Sequence, residues 1–143
     1  MDNKTRPTDA YQLSTQVGYN LRRANQRHLA IFAQHVDGLT PTQFAALARL
    51  YECGTLSQNK LGRLTAMDSA TIKGVVERLK IKNLVGSRAD LTDQRLRLVE
   101  LSDLGRLTFE RAQIQALAAR QETVARLSNE ETQILEAILA KLV

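Results

Sequence analysis

The chain has 143 residues, 43% of them hydrophobic, and a formal net charge of +5, which fits one compact domain or one subunit of an oligomer. No run of roughly 18 apolar residues occurs, and the start, M-D-N-K-T-R-P-T-D, lacks the apolar middle of a signal peptide; a soluble cytoplasmic protein without a membrane partner is expected. The single Cys53 excludes an internal disulfide framework and a multi-cysteine metal cluster, and a lone free cysteine is expected to be buried.

In chain order, the first segment, about Thr8 to Val36, carries no proline, and Val17, Leu21, Ala24, His28, Ile31 and His35 recur in steps of four and three along one helical stripe. Asp37-Gly38 ends it. Thr40-Pro41-Thr42-Gln43 opens a second helix with an N-cap, a proline in the first position and a capping-box partner. Phe44, Leu47, Ala48 and Tyr51 follow at helical spacing and Gly54 stops it. A short third helix starts at Ser57, with Leu56 and Leu61 as staple and Leu61 and Leu64 as the buried side, and breaks at Thr65-Ala66.

Asp68 caps the fourth helix, where Met67 and Ile72 can form a staple and Ile72, Val75, Val76 and Leu79 share one side. The other side, Ser69, Ala70, Lys73, Gly74 and Glu77, is small and nearly bare. Solubility and helix propensity would favour longer charged residues there, so the face is expected to approach another surface closely. Leu84-Val85 and Leu96 to Leu101 then read as two short strands around a polar, cation-rich turn, R-A-D-L-T-D-Q-R. Which parity of the second strand faces inward stays open, because Leu96 and Leu98 compete with Val99 and Leu101. Ser102 caps a fifth helix through Leu107, Ile114 and Leu117 to about Leu127, and Ser128-Asn129-Glu130-Glu131 is a capping box for a last helix with an apolar face of Ile134, Leu135, Ile138, Leu139 and Leu142.

Charge is concentrated in the middle of the chain. Residues 57–97 carry nine cations against four carboxylates, a net +5, whereas residues 1–56 sum to +2 and residues 98–143 to −2. That contrast implies a polyanionic partner.

Two short capped helices across a tight break, followed by a charged hairpin, form the layout of a winged helix-turn-helix, mainly α with a small β-hairpin wing. From about Val17 to Gly105, and more loosely to the C-terminus, the chain resembles the MarR family of bacterial ligand-responsive transcription regulators. The resemblance is carried by S-Q-N-K-L-G-R-L-T-A-M-D-S-A-T-I-K-G-V-V-E-R-L-K-I-K-N-L-V (Ser57 to Val85), R-A-D-L-T-D-Q-R (Arg88 to Arg95) and V-E-L-S-D-L-G (Val99 to Gly105). It implies a single subunit, residues 1–143, that forms a homodimer through helices at about 8–36 and 103–143, with a winged lobe at about 40–101.

By the same resemblance the helix from Asp68 to about Lys82 enters the major groove of double-stranded DNA. Ser69, Ala70, Thr71, Lys73 and Gly74 are implied nearest base edges and Lys60 and Arg78 near phosphate. Arg95 is implied in the minor groove with Asp93 holding it, and Ser57 and Arg88 complete the set. Gln94 departs from the family's commoner arginine at that place. A palindromic operator with half-sites about 34–36 Å apart follows from two-fold symmetry.

The resemblance also places a small effector, an aromatic or phenolic carboxylate, between the dimer base and the lobe, with Tyr11, Tyr19, Arg23, His28 and His35 as candidate lining. For the two histidines a core role with backbone or carboxylate partners stays equally open. Seven residues apart on a helix, they stand roughly 10 Å apart along its axis and cannot share one metal ion within a chain; no metal or cofactor is expected. Peroxide-sensing members of the family place their cysteine near the start of the first helix, whereas Cys53 closes the second, which favours ligand over redox control.

The expected function is a ligand-released repressor. A non-specific architectural DNA-binding protein and a redox-responsive regulator acting through Cys53 are the alternatives. The Ser69-Ala70-Thr71 face argues against a sequence-blind binder, which would carry more cations there. No Gly-rich phosphate loop, nucleophile elbow or metal-ligand spacing occurs, so no enzyme is expected.

Overall fold

Capping residues set the helix boundaries in the computed structural model, which describes residues 10–143. A short 3-10 turn, Leu13–Thr15, precedes α1 (Val17–His35), α2 (Pro41–Cys53), β1 (Leu56–Ser57), α3 (Gln58–Leu64), α4 (Ser69–Ile81), β2 (Val85–Ala89), β3 (Arg97–Leu101), α5 (Asp103–Thr123) and α6 (Asn129–Lys141). Thr40, Ser57, Asp68, Ser102 and Ser128 each accept a hydrogen bond from the backbone N–H three residues on, satisfying donors that the first turn leaves unpaired. Gln43 and Glu131 complete the two capping boxes.

Two boundaries and one burial differ from those expected. α1 begins at Val17 rather than near Thr8; residues 8 and 9 lie outside the described residues. Thr15 Oγ1 and Gln16 Nε2 donate to the Gln12 carbonyl at 2.9 and 3.1 Å, and such local bonds compete with helix formation. α5 stops at Thr123 instead of about Leu127, where Arg27 of α1 donates to the Thr123 and Glu122 carbonyls at 2.8 and 3.3 Å. Leu64 is exposed, not buried, because α3 ends there and turns away.

The sheet has three antiparallel strands in the order β1-β3-β2. β1 is two residues long, too short to signal itself in a sequence, and pairs Leu56 with Val99 and Ser57 with Leu98. β2 and β3 pair Val85 with Leu101, Ser87 with Val99 and Ala89 with Arg97. Val99 is fully buried, so the inward parity is Val99 and Leu101, with Leu98 on the outer side. Opposed residues share a face, which puts Ala89 and Arg97 on the helix-facing side and Arg88, Leu98 and Glu100 on the other.

Leu47, Leu50, Leu61, Ile72, Leu79 and Val99 are the fully buried centre of the winged lobe. Phe32 of α1 and Phe109 of α5 join it through Phe44, with ring centroids 5.8 Å (Phe32 to Phe44) and 5.4 Å (Phe44 to Phe109) apart. The lobe and α5 meet at Gly105, where an added Cβ would fall 1.9 Å from the Leu84 carbonyl oxygen. Beside it Ser102 N–H donates to the same Leu84 oxygen at 3.0 Å and Ser102 Oγ to Asn83 O at 2.6 Å.

The other sides of α1, α5 and α6 are apolar and uncovered in the single chain. Val17, Leu21, Leu107, Ile114, Leu117, Ile134, Ile138 and Leu142 are all exposed. Cys53, expected to be buried, is exposed as well, because it is the last residue of α2 and lies past the core before the Gly54 turn. Among the described residues no helix is long and apolar enough to cross a membrane.

Candidate nucleic-acid interface

α3 and α4 pack tightly across their turn. A Cβ on Gly62 would meet Ile72 Cγ2 at 3.1 Å and the Met67 carbonyl at 3.2 Å, so a side chain there would push the two helices apart. The turn itself is tied by Thr65 Oγ1 donating to Leu61 O at 2.6 Å. Ala66 is held at φ +55°, in the left-handed region that alanine rarely adopts.

α4 buries Ile72, Val75, Val76 and Leu79 and turns Ser69, Ala70, Thr71 and Lys73 to solvent. At Gly74 a Cβ would meet only the Arg78 guanidinium, at 3.8 Å. Nothing inside the protein therefore requires glycine at this position, and the face is left bare of bulk. Asp68 accepts the Thr71 N–H at 2.7 Å, and the hydrogen bonds from Thr71, its backbone first, hold the carboxyl below its ordinary value. The charged carboxylate fills the positive end of the helix dipole, so α4 presents side chains rather than backbone donors.

The wing tip is folded around two aspartates. Asp90 Oδ1 accepts Thr92 N–H and Thr92 Oγ1–H, both at 2.7 Å, and these bonds, the backbone one first, lower its pKa. Asp93 Oδ1 accepts Arg95 N–H at 3.1 Å and Arg95 Nε–H at 3.4 Å. Arg95 is oriented by that carboxylate while its side chain stays 94% exposed.

Of the other expected DNA-facing residues, Lys60 and Arg78 are exposed, and Ser57 Oγ is engaged as the α3 cap, accepting Lys60 N–H at 3.2 Å. Arg88 was expected at DNA as well. It lies on the outer face of the sheet with Nε 3.7 Å from Glu100 Oε1, because its strand parity turns it away from α4. Lys82 also points elsewhere, its ammonium donating to Gly38 O at 2.5 Å and to the buried Gln43 Oε1 at 2.9 Å.

Residues missed from sequence complete the surface. A recess of about 190 Å³ between α4 and the wing is bordered by Gln58, Lys73, Glu77, Lys80, Ser87 and Arg97. A second of about 150 Å³, bordered by Asn59, Arg95 and Leu96, shares Gln58 and Arg97 with it. The signal for Arg97 was its parity with Val99, which sequence left undecided.

The five effector candidates separate into two groups. Tyr11 and Tyr19 border one open recess of about 300 Å³ with Leu13, Gln16 and Arg22. The Arg22 and Arg23 guanidinium carbons each stand 5.6 Å from the Tyr19 ring centroid, within cation–π range; Arg22 was not singled out from sequence. His28 and His35 do not reach this recess, since nine residues of helix rise, roughly 13 Å, separate Tyr19 from His28. They meet the end of α5 instead, His28 Nδ1 bonding Thr123 Oγ1 at 2.9 Å and His35 Nε2 pairing with the Glu122 carboxylate.

Comparison with known proteins agrees with this geometry. Residues 39–96 match the MarR family model. The HTH-type transcriptional repressor NicR of Pseudomonas putida is 44% identical over 113 residues, 73% of this chain and 72% of the relative. A probable transcriptional regulator from Pseudomonas aeruginosa has a similar structure at TM-score 0.90 and 50% identity, covering 92% of this chain and 100% of that one. Bordetella bronchiseptica BpsR, a protein whose DNA binding is regulated by 6-hydroxynicotinic acid, matches at TM-score 0.83 and 39% identity over 89% of this chain and 98% of its own. The match to the MarR family model, together with relatives of this identity and coverage, establishes that the chain belongs to the MarR family.

Proposed function

We propose that the chain is a homodimeric repressor that occupies a palindromic operator in double-stranded DNA and is released by a small aromatic acid. The observation that carries this reading is the outer face of α4, where Ser69, Ala70, Thr71, Lys73 and Gly74 leave room for base edges although the fold itself has no need of glycine at 74. Lys60 and Arg78 would hold phosphates, and Arg95, steadied by Asp93, would enter the minor groove, whose negative potential attracts arginine. The identity of 44% with a named repressor supports the regulatory role.

For the effector, the likeness to BpsR, regulated by 6-hydroxynicotinic acid, supports a hydroxylated heteroaromatic carboxylate. The recess at Tyr11 and Tyr19 offers matching chemistry: an aromatic wall and, on its border, the Arg22 guanidinium for the carboxylate, with Arg23 close to the same Tyr19 ring. Binding there would favour a different spacing of the two lobes and draw the population off the operator.

The test is selection of duplexes from a random-sequence pool by the purified protein, competition of the winner against bulk DNA at physiological salt, and titration with 6-hydroxynicotinic acid. A palindrome bound at least about a thousandfold more tightly than bulk DNA is expected, with release by the acid. Equal affinity for both DNAs would leave an architectural binder. The exposure of Cys53 favours one second reading, redox control; loss of DNA binding in mild peroxide that Cys53→Ser prevents would establish it.

A further inference from the structure

The three arginines of the wing stand in three different settings. Arg95 is at the tip, 94% exposed and ion-paired to Asp93. Arg88 lies on the outer face of the sheet against Glu100. Arg97 shares the inner face with Val99, but sits where β3 extends past the lobe core, opposite Ala89, so its side chain overhangs α4 rather than entering the core. It is exposed and borders both recesses on that side.

Lys73, Glu77 and Lys80 of α4 and Gln58 of α3 surround the same corner. Among the described residues none of Arg97, Lys73, Lys80 or Glu77 takes part in an ion pair. Three cations and one carboxylate therefore leave a net positive concavity, and walls of low dielectric concentrate such a field.

DNA geometry says what fits there. If α4 occupies a major groove and Arg95 the adjacent minor groove, the phosphodiester strand dividing those grooves must pass over the corner between α4 and the wing. Arg97 and Lys80 are the cations of that corner not engaged at either groove. We propose that Arg97, assisted by Lys80, holds a backbone phosphate at the inner corner of the wing, and that Arg88 makes no DNA contact. Arg97 is the better-suited of the two, since a guanidinium fork matches two phosphate oxygens at once. The inference rests on the DNA-binding reading above and assigns one contact within it.

The experiment measures binding of the intact wild-type protein, Arg97→Ala and Arg88→Ala to the duplex that the wild type selects, over a series of salt concentrations. Arg97→Ala is expected to weaken binding about tenfold on specific and bulk DNA alike, and to reduce the slope of log affinity against log salt by about 0.9. Arg88→Ala is expected to stay at the wild-type slope. A scan of single neutral methylphosphonates reads the same contact without a protein variant: one position, on the strand between the contacted grooves, should cost the wild type about tenfold. An unchanged slope in Arg97→Ala, an equal loss in Arg88→Ala, or no sensitive phosphate at that place would overturn the assignment while leaving DNA binding intact. If the wild type bound no DNA, selected or bulk, the DNA-binding reading itself would fall and this contact with it.

Discussion

Within the winged lobe, Leu47, Leu61, Ile72, Leu79 and Val99 are sealed from solvent, whereas in α5 and α6 Ile114, Leu117, Ile134 and Ile138 face outward, Ile134 with 58% of its surface free. Both regions are built from the same kinds of capped, amphipathic helix. They differ in where the apolar faces go: the lobe closes over its own, while the base presents them to something outside the chain. Burial of each such side chain stabilises by roughly 1.5–3 kcal/mol, so a contiguous uncovered face is a strong drive for association. A second copy offers the same face in return, which is why we propose the base for dimerisation and the lobe for DNA.

The sharpest test of a self-contained lobe is Gly105→Ala. With a Cβ placed 1.9 Å from a backbone oxygen, neither partner can yield cheaply, and a loss of about 3 kcal/mol or more in chemical denaturation is expected. Wild-type stability would mean that the joint is looser than described. Next in size, Ile134→Glu combined with Ile138→Glu should convert the dimer to monomer in sedimentation while circular dichroism retains the helices. A dimer that persists would move the interface elsewhere.

A smaller effect separates the cations proposed to face DNA from those held inside the protein. Lys82→Met removes one of the two donors to the buried Gln43 Oε1, leaving Thr40 N–H at 3.3 Å, and should cost about 1–2 kcal/mol without changing the salt slope of DNA binding. A reduced slope would make Lys82 a phosphate contact. Smallest is a pH effect. Asp68 and Asp90 are both held below the ordinary 3.8 by hydrogen bonds to their charged forms, so the stability they contribute is fully present above that value. It is lost as pH falls below 3.8 toward the folded-state values, because the unfolded chain takes up the protons first. Stability between pH 5 and 8 should be the same in Asp90→Asn and wild type in its pH dependence; a difference in slope there would implicate another group.

Helix existence and capping were legible from sequence because they are local: Thr40 with Gln43 and Ser128 with Glu131 state their partners within four residues. The bare outer side of α4 was legible too, since Gly74 and Ala70 are anomalous for a solvated helix. What escaped was decided by pairing across the chain. The two residues of β1 have no pattern of their own and become a strand only against Val99. Strand parity depends on which side the helices lie, so the side taken by Arg97 stayed open until the register fixed it. The histidines of α1 were placed correctly on their stripe, yet their partners Glu122 and Thr123 lie 87 and 95 residues away and could not be read from spacing.

The contact at Gly105 has a mechanical consequence. Because the first turn of α5 rests directly on the Leu84 carbonyl and is pinned by Ser102 to Asn83, that end of the helix is joined to the winged lobe as one lever arm. If two copies pair through the base, a change in separation between their lobes would have its pivot farther along, in the shaft of α5 or in the Asp37-Gly38 link, where Gly38 has a φ of +73° between α1 and the lobe.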